Sequence, residues 1–84
     1  MREAMQIGVY QHYKGLRYEV LAIAKHFETL EEMVIYRALY GDFELWIRPL
    51  NMFLEEVEYF GVKQPRFKFL HLSNQVGDPD YVTF

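Results

Sequence analysis

Arg37, Trp46 and Arg48 form a set that could hold an anion, with the last two standing two apart in one β-prone run. Guanidinium groups recognise carboxylates and phosphates through paired N–H donors, and aromatic rings beside arginine are what binding hot spots are built from. A second set is His12, His26 and Glu28. Two imidazoles and a carboxylate offer divalent-metal ligands, or general acid-base chemistry near neutrality. No fixed third spacing supports a metal site, and a histidine at a strand end more often serves as a structural hydrogen-bonding group, so no metal is expected. A nucleophilic site built from Thr29, His26 and Glu28 would be crowded in sequence, and Ser73 is the only serine.

Positioning these residues requires sheet. Residues 8–13 are rich in strand formers, Lys14-Gly15 supplies a turn where glycine can take positive φ, and residues 17–26 resume β-prone sequence, predicting a hairpin. Residues 27–32 form an acidic interruption. There Thr29 and Glu32 have capping-box spacing, so a helical turn and a plain loop both stand. Residues 33–40 and 45–48 predict a second hairpin around Gly41-Asp42-Phe43-Glu44, whose second strand Pro49 must end or leave at a sheet edge. A short helical turn is expected at 50–53, and a last strand at 63–70. Five short strands and one turn of helix predict a mainly β domain, a small closed or half-closed barrel.

A two- or four-residue turn centred on Asp42-Phe43 places Tyr40 opposite Leu45 and Arg37 opposite Arg48. Val34, Tyr36, Ala38 and Tyr40 then share an uncharged core face with Leu45 and Ile47. The other face carries Ile35, Arg37, Leu39, Trp46 and Arg48. On the preceding strand the uncharged set Tyr18, Val20, Ala22 and Ala24 is assigned to the core. Two facing guanidinium groups repel unless an anion lies between them. That anion is either an internal carboxylate, with Glu19, Glu28, Glu31 and Glu44 as candidates, or an acidic group on a partner.

The chain has 84 residues, 51% hydrophobic and 25% charged, with no cysteine and a formal charge of -3. That length fits one domain, assigned to residues 1–70, with a polar tail over 71–84. The tail ends in the β-prone Tyr81-Val82-Thr83-Phe84, which either stays disordered or adds to a sheet edge. Small domains have little core to spend on cavities, so a ligand site should be a shallow groove. Seven Tyr, seven Phe and one Trp supply the packing that disulfides would otherwise provide.

Lack of cysteine removes thiolate nucleophiles and cysteine zinc sites, and is compatible with a cytoplasmic location. The longest stretch free of Asp, Glu, Lys and Arg, residues 4–13, falls short of the about 18 apolar residues a membrane span needs. Neither a membrane role nor a signal peptide is expected. Net acidity weighs against nucleic acid. Glycines are scattered singly, with no phosphate-binding loop, so no nucleotide or other cofactor is expected.

The runs Gly8-Val9-Tyr10-Gln11-His12-Tyr13-Lys14-Gly15, Tyr18-Glu19-Val20-Leu21 and Ala24-Lys25-His26-Phe27-Glu28-Thr29 resemble a family of small bacterial proteins known as domain of unknown function 1653. The resemblance continues through Val34-Ile35-Tyr36-Arg37-Ala38-Leu39-Tyr40-Gly41 and Leu45-Trp46-Ile47-Arg48-Pro49-Leu50-Asn51-Met52-Phe53, and fades after Pro65-Arg66-Phe67. It implies an SH3-like barrel and no assigned activity. Phe27 stands where that family usually has serine, which speaks against a hydroxyl role in this loop.

The expectation is therefore a non-enzymatic binding module. Its Arg37, Trp46 and Arg48 face, rimmed by His12, His26 and Glu28, would hold an acidic group of a peptide, protein or small metabolite. The alternative is a small acid-base enzyme, hydrolase-like, using His12, His26 and Glu28. RNA binding through the aromatic and arginine positions ranks third. The oligomeric state is left open by the sequence.

Overall fold

Gly15, at φ +109°, lets the chain reverse where Cβ-bearing residues are strained. Its N–H donates to the His12 carbonyl at 2.7 Å, and the His12 N–H donates to the Leu16 carbonyl at 2.8 Å. This closes the expected hairpin between β1 (Gly8–His12) and β2 (Arg17–Lys25). The computed structural model describes residues 5–73, which are mainly β. The expected β-prone end at Tyr81-Val82-Thr83-Phe84 lies outside the described residues.

The remaining elements are β3 (Glu32–Ala38), β4 (Leu45–Pro49), α1 (Leu50–Phe53), β5 (Glu56–Tyr59), β6 (Val62–Pro65) and β7 (Phe67–Leu72). Five strands form one antiparallel sheet in the order β4-β3-β2-β1-β7, and β5 pairs with β6 in a separate hairpin. β4 and β7 are the two edges of the large sheet, so the sheet does not close. The single strand expected over 63–70 is two strands. Pro65 lacks an N–H, and the Arg66 N–H turns aside to the Glu55 carbonyl at 2.9 Å, so the ladder breaks there. β5 is joined to β6 by a two-residue turn at Phe60-Gly61, with φ of +53° and +76°. The stretch at 27–31 is a loop with no helix and Glu32 already opens β3; in the loop Thr29 Oγ1 accepts from the Glu31 N–H at 3.1 Å.

β2 carries a bulge between Val20 and Ala22. Before it, Tyr18 and Val20 face the core as expected. After it the pleat is inverted, so Ile23, opposite buried Val34, packs inward in place of Ala22 and Ala24. The core joins Tyr10, Val20, Val34, Tyr36, Leu50, Phe53 and Phe67. Phe53 of α1 stacks on Phe67 with ring centroids 4.0 Å apart, and meets Tyr10 and Tyr36 edge-on at 5.4 and 5.3 Å. The short helix thus plugs the sheet's inner face. At Gly8 a side chain has no room, because a Cβ would lie 2.3 Å from the His71 carbonyl oxygen on β7.

The connection between β3 and β4 differs from the expected turn. It spans six residues, with the Ala38 N–H donating to the Glu44 carbonyl at 2.9 Å and the Phe43 N–H to the Tyr40 carbonyl at 3.1 Å. Gly41 and Phe43 both take positive φ. The register becomes Arg37 opposite Leu45, Tyr36 opposite Trp46 and Val34 opposite Arg48. This is three residues from the expected pairing. An odd offset exchanges the faces. Leu45 and Ile47 are exposed, and Trp46 and Arg48 share the inner face with Val34, Tyr36 and Ala38.

Candidate functional site

Arg48 projects from β4 over the rim of the aromatic core. Its Nε donates to the Tyr36 hydroxyl oxygen at 3.3 Å, and its guanidinium carbon lies 5.5 Å from the centre of the Phe67 ring. Among the described residues no carboxylate pairs with it. The cross-strand neighbour of Phe67 is His12, whose ring centroid is 5.0 Å from that of Phe67. Trp46 lies two residues before Arg48 on the same face and is half exposed. Register and ring contacts therefore gather His12, Trp46 and Arg48 around Tyr36 and Phe67.

Tyrosines that sequence reasoning assigned to packing complete this rim. Tyr18 packs edge-on against Tyr36, Tyr40 and Phe67, and its hydroxyl shares a 2.7 Å hydrogen bond with that of Tyr40. Burial, and then the bond to Tyr40, raise the Tyr18 pKa well above that of a free phenol, so the hydroxyl stays protonated at physiological pH. The spacing of Tyr18, Tyr36 and Tyr40 marked them as inward-facing; only the register shows that hydroxyls converge beside an arginine.

Charge on this rim is positive. His12 has its pKa held below the usual imidazole value, first by burial and then by Arg66, Arg48 and Lys14. Its Nδ1 accepts from the Lys14 backbone N–H at 3.2 Å, which directs the proton of the neutral ring to Nε2. Arg66 pairs with Glu55 at 3.0 Å while its own Nε is buried without a partner. A groove of about 460 Å³ runs beside His12, lined also by Gln11, Tyr13, Gly15, Gln64, Pro65 and Lys68. Arg48 does not line that groove, so the two features meet only at His12.

Three of the six expected site residues fall elsewhere. Arg37 projects from the opposite face of the sheet, directly across from Glu19, one of the carboxylates proposed to neutralise it. Both residues are engaged, and Glu19 is buried. The expected pairing of Arg37 with Arg48 is overturned by the six-residue turn. His26 and Glu28 lie beyond the far end of β2, separated from His12 by on the order of 25 Å of strand. The expectation that His12 joins them across the first hairpin fails because Gln11 pairs with Arg17, leaving His12 at the start of β2.

His26 instead organises its own loop. Its Nδ1 accepts from the backbone N–H groups of Glu28 and Thr29 at 3.1 and 3.3 Å, and the His26 backbone N–H donates to the Glu31 carbonyl at 2.7 Å. The Thr29 hydroxyl oxygen is occupied by the Glu31 N–H, and the Thr29 contact to the imidazole is through backbone nitrogen. Among the described residues, no three His, Cys, Asp or Glu side chains come together as a metal site would require. No described helix is long and apolar enough to cross a membrane.

Residues 8–69 match the model of a family described as "Protein of unknown function (DUF1653)". The chain belongs to this family. A crystal structure of a family protein from Bordetella bronchiseptica is 34% identical, superposes with a TM-score of 0.76, and is matched over 84% of this chain and 94% of its own. Among curated proteins none matches. The matched region contains the whole rim, from His12 through Trp46 and Arg48 to Phe67.

Proposed function

We propose that this member of the DUF1653 family is a non-enzymatic binding module. Its His12, Trp46 and Arg48 rim, backed by the hydroxyls of Tyr18, Tyr36 and Tyr40, holds an acidic group of a peptide, protein or metabolite. The observation that carries this reading is Arg48. Its Nε is engaged by Tyr36 and its guanidinium lies over the Phe67 ring, yet no described carboxylate neutralises it. A pre-oriented guanidinium loses little freedom when an oxyanion arrives, and the aromatic floor limits competition from water. The open, bulged sheet is read as SH3-like, in keeping with the family resemblance.

The test is a titration of the full chain with inorganic phosphate and, separately, with acetyl-glutamate amide, followed by NMR at the Trp46 indole N–H and the Arg48 Nε–H. Both signals should move on binding, and Arg48→Ala should abolish the movement at Trp46 while the amide spectrum stays folded. Silence at both positions with both probes would remove the reading. Binding dominated by RNA, with affinity falling steeply as salt rises, would replace it with the nucleic-acid alternative.

A further inference from the structure

β4 is a sheet edge, and the direction of its free backbone groups follows from one bond. Because the Ala38 N–H donates to the Glu44 carbonyl, the hydrogen-bonded pairs continue through Tyr36 with Trp46 and Val34 with Arg48. The N–H and C=O groups of Leu45 and Ile47 therefore point away from β3. Pro49 has no N–H and stops the edge. Leu45, Trp46 and Ile47 are 58, 49 and 62% exposed and carry no charge. Sheet edges are ordinarily guarded by charge, and the other edge, β7, carries Lys68 and His71. β4 has its one charge at Arg48, a cation with no carboxylate partner among the described residues.

We infer that β4 accepts an extended peptide from a partner protein as a sixth, antiparallel strand, with a carboxylate of that peptide meeting Arg48. The inference rests on the binding reading above and names its ligand class. Register fixes the preferred sequence. Reading the peptide from its N-terminus, an acidic residue faces Arg48, an aliphatic one Ile47, an aromatic or aliphatic one Trp46, and an aliphatic one Leu45. Arg48 and Trp46 would sit at the non-hydrogen-bonded positions of the new pair, where facing side chains approach most closely. The carboxylate and the apolar anchor thus fall on the inner face beside Tyr36. Main-chain bonds at Leu45 and Ile47 supply affinity, and the side chains supply selection.

The probe is the capped peptide acetyl-Thr-Glu-Val-Tyr-Val-Thr-amide, added to the full-length chain and followed by amide hydrogen exchange and NMR. At saturation, exchange at the Leu45 and Ile47 amides should slow by about tenfold or more, as for newly paired strand amides. A peptide with both valines N-methylated keeps the carboxylate but cannot pair, and should bind at least about tenfold more weakly; Gln in place of Glu should weaken binding similarly. If the N-methylated peptide binds as well as its parent, strand addition is wrong while anion binding at Arg48 stands. If acetyl-glutamate amide and every peptide leave Arg48 and Trp46 unperturbed, both readings fall. Protection of Leu45 and Ile47 before any peptide is added would show the edge already occupied by residues of this chain or a second copy, and would also overturn the partner assignment.

Discussion

Glu19 and Arg37 stand directly opposite each other on β2 and β3, on the face of the sheet turned away from Arg48. Glu19 is 7% exposed, so the carboxylate has been taken out of water. Half-buried Arg37 is the cation directly across the strand pair from it, and stripping the counter-charge from a buried carboxylate costs about 3 kcal/mol or more. Arg37→Ala is expected to lower the urea midpoint markedly and to leave the phosphate response of Trp46 intact. Loss of that response in a folded Arg37→Ala protein would return Arg37 to the binding site.

Arg48→Ala should behave in the opposite way. The half-buried side chain contributes one hydrogen bond to Tyr36 and a ring contact, so stability should fall by only about 1 kcal/mol in equilibrium unfolding. Anion binding should vanish. A large stability loss with binding retained would make Arg48 a structural residue.

His12 predicts a pH dependence of known sign. Its folded pKa lies below the unfolded value near 6.5, so the unfolded chain takes up the proton first as pH falls. The His12 contribution to stability is complete above about pH 6.5, declines below it, and levels off beneath the folded pKa. His12→Gln should flatten this segment of the stability profile. An anion bound on the same rim would oppose the fields of Arg66, Arg48 and Lys14, so saturating phosphate should raise the His12 pKa measured by NMR. An unchanged titration curve would place the anion elsewhere.

The Phe53 ring stacks on Phe67 and meets Tyr10 and Tyr36, and it is essentially fully buried. Phe53→Ala should cost about 3 to 5 kcal/mol by chemical denaturation. For a domain of this size that is a large part of its total stability, and partial unfolding at room temperature is the expected outcome. A loss under 1 kcal/mol would show that α1 is not the plug of the inner face.

Much of the architecture was legible in local chemistry. Lys14-Gly15 announced the first hairpin, Pro49 the end of β4, and the pattern at 50–53 the helical turn. Two departures from regular geometry escaped. Leu21 is an extra residue in β2, and nothing in an apolar run marks which member will bulge. Phe43 and Phe60 adopt positive φ, a conformation aromatic side chains rarely take, so the turns built on them were misread or missed. The candidate site was sensitive to these errors in a way the fold was not. Trp46 and Arg48 keep their common face under any register because they are two apart, whereas the relation of Arg48 to Arg37 depends on the parity of the intervening turn. The separation of His12 from His26 was legible, because a hairpin that turns at Lys14-Gly15 sets His12 beside the start of β2 while His26 follows its far end.

The bulge in β2 divides one strand into two segments that obey opposite rules of substitution. At positions 18 and 20 the even residue must be hydrophobic; at 23 the odd one must be. Any attempt to rank the tolerance of β2 by simple alternation will therefore invert halfway along, scoring Ala22 as interior and Ile23 as surface. A family-wide comparison of this strand should be aligned separately on either side of Leu21, with a one-residue gap permitted there.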